Sequence, residues 1–177
     1  MSNQWEAEVR EDHQALEAQA GALEAALSID ISPQDRRVVL SWIVRGLWPS
    51  LELHLRKEED ALFPALQKLL GESAGSLTLL KEQHRELRSG LRRVAELLQE
   101  TESTNWEGLA LAAQSFIDLL EDHEKKEDRL LLDVLEFSLK PKELKALAST
   151  LHDVAQKAVT EEGWSPEGWK RSPGGAR

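Results

Sequence analysis

The sequence predicts an all-α protein, an up-and-down antiparallel four-helix bundle with a short fifth C-terminal helix and an irregular tail. Three observations carry that expectation. Apolar residues recur at alternating steps of three and four through four long stretches, Ser, Pro, Gly and Asn punctuate the chain between them, and no stretch alternates as a strand would. A chain of 177 residues suffices for one domain with a sizeable core and is too short for two ordinary ones.

The first helix is expected over about Gln4 to Leu27, with Val9, His13, Leu16, Ala20, Leu23 and Leu27 as its inward stripe. Ser32-Pro33 opens the second, Ser as N-cap and Pro at the first helical position. It runs to about Leu70 through Leu40, Val44, Leu47, Leu51, His54, Glu58, Ala61 and Ala65, with bends expected at Pro49 and Pro64. Gly71, Ser73 and Gly75 break the chain before a third helix over about Ser76 to Glu100, striped by Leu77, Leu80, His84, Leu87, Leu91, Val94 and Leu98. Thr104-Asn105-Trp106-Glu107 reads as a capping box for a fourth helix, to about Leu139, with Phe116, Leu120, His123, Glu127, Leu130 and Val134 inward. Pro141 starts the short fifth helix. Residues 163–177, rich in Gly, Pro and Ser, form the irregular tail.

Composition excludes several function classes. The 22 basic and 32 acidic residues leave a net charge of −10, which argues against nucleic acid or an anionic membrane surface as partner. Without cysteine there are no disulfides, thiolate metal sites, iron–sulfur clusters or cysteine nucleophiles. No glycine-rich phosphate loop or nucleotide fingerprint occurs. The opening MSNQWEAEV has neither the basic start nor the apolar run of a signal peptide, and nothing approaches a membrane span, so a cytoplasmic location is the expectation.

The anomaly lies in the stripes. Each of the four long helices places one histidine among its core residues, and two carry a glutamate four residues later, His54/Glu58 and His123/Glu127. That step puts both side chains on one helix face, a turn apart. A single histidine in such a stripe is ordinarily a hydrogen-bonded core residue, and Glu58 alone, among Arg56, Lys57, Glu59 and Asp60, would read as partly exposed. The repetition across four stripes reverses both readings. An unpaired carboxylate in an apolar core costs several kcal/mol or takes up a proton, and no lysine or arginine shares these stripes. A metal centre satisfies them together.

Four imidazoles and two carboxylates without sulfur suit iron or manganese better than structural zinc, and the set is large enough for two ions. With each glutamate bridging and one shared oxo or hydroxo group, roughly one position per ion stays open to an exogenous ligand.

The pattern H…HxxxE…H…HxxxE resembles the hemerythrin-like, or HHE cation-binding, family. The matching segments are DHQAL at His13, HLRKEEDALFPAL at His54 and Glu58, EQHREL at His84, and DHEKKEDRLLL at His123 and Glu127, spanning about residues 5–140. The resemblance implies a four-helix bundle over residues 1–162 holding a non-haem di-iron centre, with His13 and His54 serving one iron, His84 and His123 the other, and Glu58 and Glu127 bridging. It implies a small ligand (O2, NO or peroxide) in sensing, scavenging or iron handling. The alternatives are an oxidoreductase turning over peroxide or NO with an external reductant, and a metal-free helical interaction module. A monomer or weak homodimer is expected.

One departure from the family pattern bears on function. Oxygen-carrying members add a fifth histidine one turn from the position matched by His84, whereas this chain has Leu80 and Arg88 there. That argues against reversible oxygen carriage, unless Glu17, four residues after His13, fills the gap. Glu59, Asp60, Glu124 and Asp128 are expected to be solvated, Asp12 to support a ligand from behind, and His152 to lie on the surface. The tryptophans are expected to serve mostly as core or interface packing, with Trp42 and Trp48 also candidates to line a dry approach to the metals and Trp5 a candidate to close one bundle end. Trp164 and Trp169 are in need of a covering surface, on their own bundle or a second subunit.

Overall fold

The computed structural model describes residues 4–71, 75–100, 105–128 and 133–160. Four long helices dominate: α1 (Gln4–Ser28), α2 (Pro33–Lys57), α4 (Gly75–Gln99) and α5 (Trp106–Glu127). The shorter α3 (Phe63–Leu70), α6 (Asp133–Ser138) and α7 (Pro141–Thr160) complete it, and no strand occurs among the described residues. Around the bundle α1 packs on α2 and α5, and α4 packs on α5 and α2.

Local chemistry sets most of the boundaries. The Ser32 hydroxyl accepts from the Asp35 N–H at 3.1 Å, with Pro33 pre-set for the first turn of α2. Gly71 closes α3 at φ 58°, a backbone conformation that penalises any side chain. At α7 the Glu143 side chain reaches back to the Lys140 N–H at 3.0 Å, ahead of Pro141. The start of α5 corrects the expected capping box. Its N-cap is Asn105, whose side-chain oxygen accepts from the Gly108 N–H at 2.9 Å, so a single side-chain cap stands in place of the box expected from Thr104, which lies outside the described residues.

The bends expected of the second helix resolve differently at its two prolines. Helix α2 continues through Pro49 without interruption. Before Pro64 the chain widens into a π turn, Glu58–Leu62, in which the Phe63 N–H reaches the Glu58 carbonyl five residues back. Pro64 has no N–H to give, and its ring would crowd the carbonyl four residues earlier, so a wider turn accommodates it. The extra residue also shifts the inward stripe, and Leu62 and Leu66 are buried where continued α spacing would place Ala65. The expected single fourth helix is described as α5 and α6, with residues 129–132, including Leu130, outside the description.

The core divides into two apolar clusters with the polar stripe residues between them. One joins Leu16, Leu51, Leu87 and Leu120 with the rest of one bundle end. The other joins Val9, Leu62, Leu80 and Leu135 with α7, and buries Trp5 as anticipated. The chain passes from the second cluster to the first along α1, back along α2, forward along α4 and back again beyond α5. Each crossing takes one histidine through the layer between the clusters. Fully buried leucines on either side keep water from that layer.

Candidate metal centre

Six side chains meet in that layer, namely His13, His54, Glu58, His84, His123 and Glu127, all buried. Periodicity put each on an inward face, and the alternation of the helices brings the four histidines to one level. The His13 and His54 rings lie 4.9 Å apart edge to face, as do those of His84 and His123. Glu58 stands between the pairs. Its Oε1 is 2.6 Å from His54 Nε2, while its Oε2 is 2.8 Å from His84 Nε2 and 3.6 Å from His123 Nε2. Glu127 Oε2 lies 3.3 Å from His13 Nε2, 3.7 Å from His123 Nε2 and 3.9 Å from His54 Nε2.

These atoms form two overlapping four-residue groups that can each hold a cation: His13, His54, Glu58 and Glu127, and Glu58, His84, His123 and Glu127. Within each group one ligand atom per residue lies within 4.8 Å of the others. Bonds of roughly 2.0–2.2 Å from imidazole and carboxylate to a divalent ion produce separations of that order.

Orphaned atoms test the fit. His54 Nε2, both Glu58 oxygens, His84 Nε2, both His123 ring nitrogens and Glu127 Oε1 are buried with no hydrogen-bond partner. His54 Nε2 and Glu58 Oε1 are close enough for a hydrogen bond but lack its alignment, as expected of lone pairs that converge on a shared ion rather than on each other. Native interiors rarely leave such groups unsatisfied, and a cation at each group answers all but His123 Nδ1.

In the metal-free protein the charges answer one another. Burial disfavours the charged form of His54, yet the Glu58 carboxylate holds its pKa up at about 9. His84 is likewise raised to about 8 by Glu58 and Glu59 against the effect of burial. Glu58 is held well below the usual carboxylate range despite burial, by His54 and its other imidazole neighbours. Glu127 moves upward, through burial and the adjacent Glu58 charge.

Two acids expected to be solvated are otherwise. Glu59 accepts from His84 Nδ1 at 2.7 Å and from Arg88 Nη1 at 2.7 Å, and Arg88 also binds Glu52 at 2.8 Å. The two cationic partners outweigh burial and lower Glu59 to about 2. Glu124 is 4% exposed, and neither of its oxygens has a partner. Burial pushes it up to about 7 against His13 and His54, with Glu17 and Glu127 adding to the rise.

The remaining expectations divide. Asp60 and His152 are exposed, and Asp128 is half-buried. Asp12 engages Lys57 Nζ at 2.8 Å, tying α1 to α2 beside the centre. Glu17 is exposed and belongs to neither donor group. Trp42 is 78% exposed, so it lines no approach, and Trp48 packs against the core cluster away from the ligand layer. Trp164 and Trp169 lie outside the described residues.

The family model for the hemerythrin HHE cation-binding domain matches residues 6–135, most of the chain, and also residues 75–160. No curated protein and no solved structure matches the chain.

Proposed function

The chain belongs to the hemerythrin HHE cation-binding family, and from that premise we propose that it is a non-haem di-iron protein whose paired centre binds or reacts with O2, NO or peroxide. The observation that carries this reading is the pair of four-residue groups sharing Glu58 and Glu127. His13 and His54 would hold one ion, His84 and His123 the other, and Glu58, with one oxygen toward each pair, would bridge. Nitrogen and oxygen donors without sulfur favour iron, with manganese as the next choice. When bound, such a pair supplies one-electron chemistry and coordination positions that a small molecule can exchange into.

The protein's own part is to bind, orient and exclude. Imidazoles and carboxylates set the site, and the leucines of both clusters keep out bulk water and larger substrates. Among the described residues, neither position one turn from His84 supplies the fifth histidine of the oxygen carriers. Leu80 is apolar and buried, and Arg88 is turned to Glu52 and Glu59. That favours reaction or sensing over reversible storage. The same proposal takes the protein as a cytoplasmic monomer or weak homodimer. No helix among the described residues is long and apolar enough to cross a membrane.

Metal analysis with an optical spectrum tests the reading. Two irons per chain are expected, one for each group, with near-ultraviolet charge-transfer bands that shift on adding azide. His54→Ala and Glu127→Ala should lose iron, and unchanged content in both variants would sink the assignment. Bands that ignore azide would remove the open position and with it the small-ligand role.

A further inference from the structure

A cavity of about 500 Å³ lies against one side of the centre, between α1 and α5. His13 forms part of its wall and is the least enclosed of the four histidines of the centre, at 6% exposure against 0–1% for the others. The lining is acidic, with Glu17, Glu24, Glu121, Glu124 and Asp128 against Arg10 and Lys125. Both cations are already engaged. Lys125 binds Glu121 at 2.9 Å, and Arg10 binds Glu6 at 3.0 Å and Asp128 at 3.5 Å. The negative charge of the exposed Glu17 and Glu24 is therefore left unbalanced by these two cations, with Glu124 buried in the same wall.

These three acids are graded in depth. Glu17 and Glu24 are exposed, whereas Glu124 is buried with both oxygens unpartnered. Glu124 shares the cavity wall with Glu17 and with the ligand His13, and it directly follows the ligand His123 in the chain. It is thus the buried acid of a wall that runs from the exposed acids to His13, without belonging to either four-residue group. A concave acidic wall concentrates cations and repels anions, and a buried carboxylate without a hydrogen bond demands a counter-charge. Nothing in the site described above uses Glu124.

We propose that this cavity is the cation portal of the centre and that Glu124 is a transit ligand, taking a divalent ion from the Glu17/Glu24 mouth and passing it to His13 and Glu127. The step is ligand exchange without redox change. A water on the hydrated ion is replaced by a Glu124 oxygen, which is in turn replaced by His13 Nε2 while a Glu127 oxygen displaces a second water. The proposal rests on the paired-centre reading and adds the route by which that centre is filled.

Stopped-flow uptake of Co²⁺ by the metal-free full chain, followed by its visible absorption and closed by metal analysis, tests the route. Glu124→Gln keeps the shape and removes the charge. It should slow uptake roughly tenfold or more at low salt while leaving the final ion count and spectrum unchanged. The exposed double variant Glu17→Gln/Glu24→Gln, which disturbs no buried contact, should flatten the salt dependence of the wild-type rate. Wild-type rates in both variants would overturn the portal. A Glu124→Gln protein that loads at the normal rate but ends with fewer ions or an altered spectrum would make Glu124 a resident ligand and overturn transit. A wild-type chain that takes up no Co²⁺ would defeat the paired-centre reading itself, an outcome distinct from either.

Discussion

His13 stands in the wall of an acidic cavity, whereas His84 is enclosed by Phe63 and a charged network. Phe63 stacks on His84 with ring centroids 5.0 Å apart. His84 Nδ1 donates to Glu59 at 2.7 Å, so that once the ring is neutral its lone pair lies on Nε2, facing Glu58. Arg88 clamps Glu59 and Glu52 together behind it. His13 has no equivalent, since the nearest acid to its Nδ1 is Asp128 at 3.9 Å, too far for a hydrogen bond. Under the proposed di-iron reading, a ring held in one tautomer by a buttressed carboxylate is expected to keep its ion, and a ring in a cavity wall to exchange it. The difference teaches that one set of ligand types can build a retaining half and a loading half.

The largest effects should come from what the halves share. Glu58→Ala removes a donor from both groups, and ion content should fall from two toward none. His13→Ala should remove only the ion beside the cavity and leave the other. Metal analysis of the two variants side by side checks this. Equal loss in both would erase the distinction between the halves.

A smaller, one-sided effect is expected from the buttress. Glu59→Gln keeps an acceptor for His84 Nδ1 but loses the charge that Arg88 orients, and such outer partners are worth ~10–100-fold in metal affinity. Competition with a chelator should show that loss for one ion of the pair only. Asp128→Asn, near His13 at long range, should change little. If Glu59→Gln weakened both ions alike, the network would be supporting the bundle rather than one half.

How much of this the sequence discloses follows from what periodicity can see. It assigns a residue to a face, and on that basis the four stripe histidines and both glutamates were legible as a single constellation. It cannot see one residue sideways. Glu59 and Glu124 each adjoin a stripe residue among other charges, and only the neighbouring helix decides that one meets His84 and the other is shut from water. The π turn was hidden for a related reason, since the His54–Glu58 step of four lies before the widened turn and is unaffected by it. Pro64 was the available signal. Asn105 as N-cap was obscured by Thr104, whose Glu107 partner completes the same motif one residue earlier. Trp42 shows the opposite error, a large apolar ring assigned inward that the bundle leaves in solvent.

The mildest effect expected is one of pH on the metal-free chain, and it touches both halves through their protons. His84 and His54 have folded pKa values of about 8 and about 9, above the ordinary value of 6.5. Their pairing with Glu58 therefore contributes stability that is fully present below pH 6.5. That contribution is lost as pH rises through 8 and then 9. The melting temperature of the metal-free protein should decline across that window. The loaded protein, whose Nε2 atoms would face ions instead of carrying protons, should not follow it. Since those protons must leave before metal can bind, affinity should rise over the same window, and loading near pH 7 should acidify a weakly buffered solution. Thermal melts of both forms at pH 6, 7.5 and 9, with proton release measured at the middle value, check the sign. A metal-free melting temperature that is flat or rising would mean that the histidines enter the fold neutral. The orphaned nitrogens would then be free of protons in the metal-free state, and loading would displace none from either half.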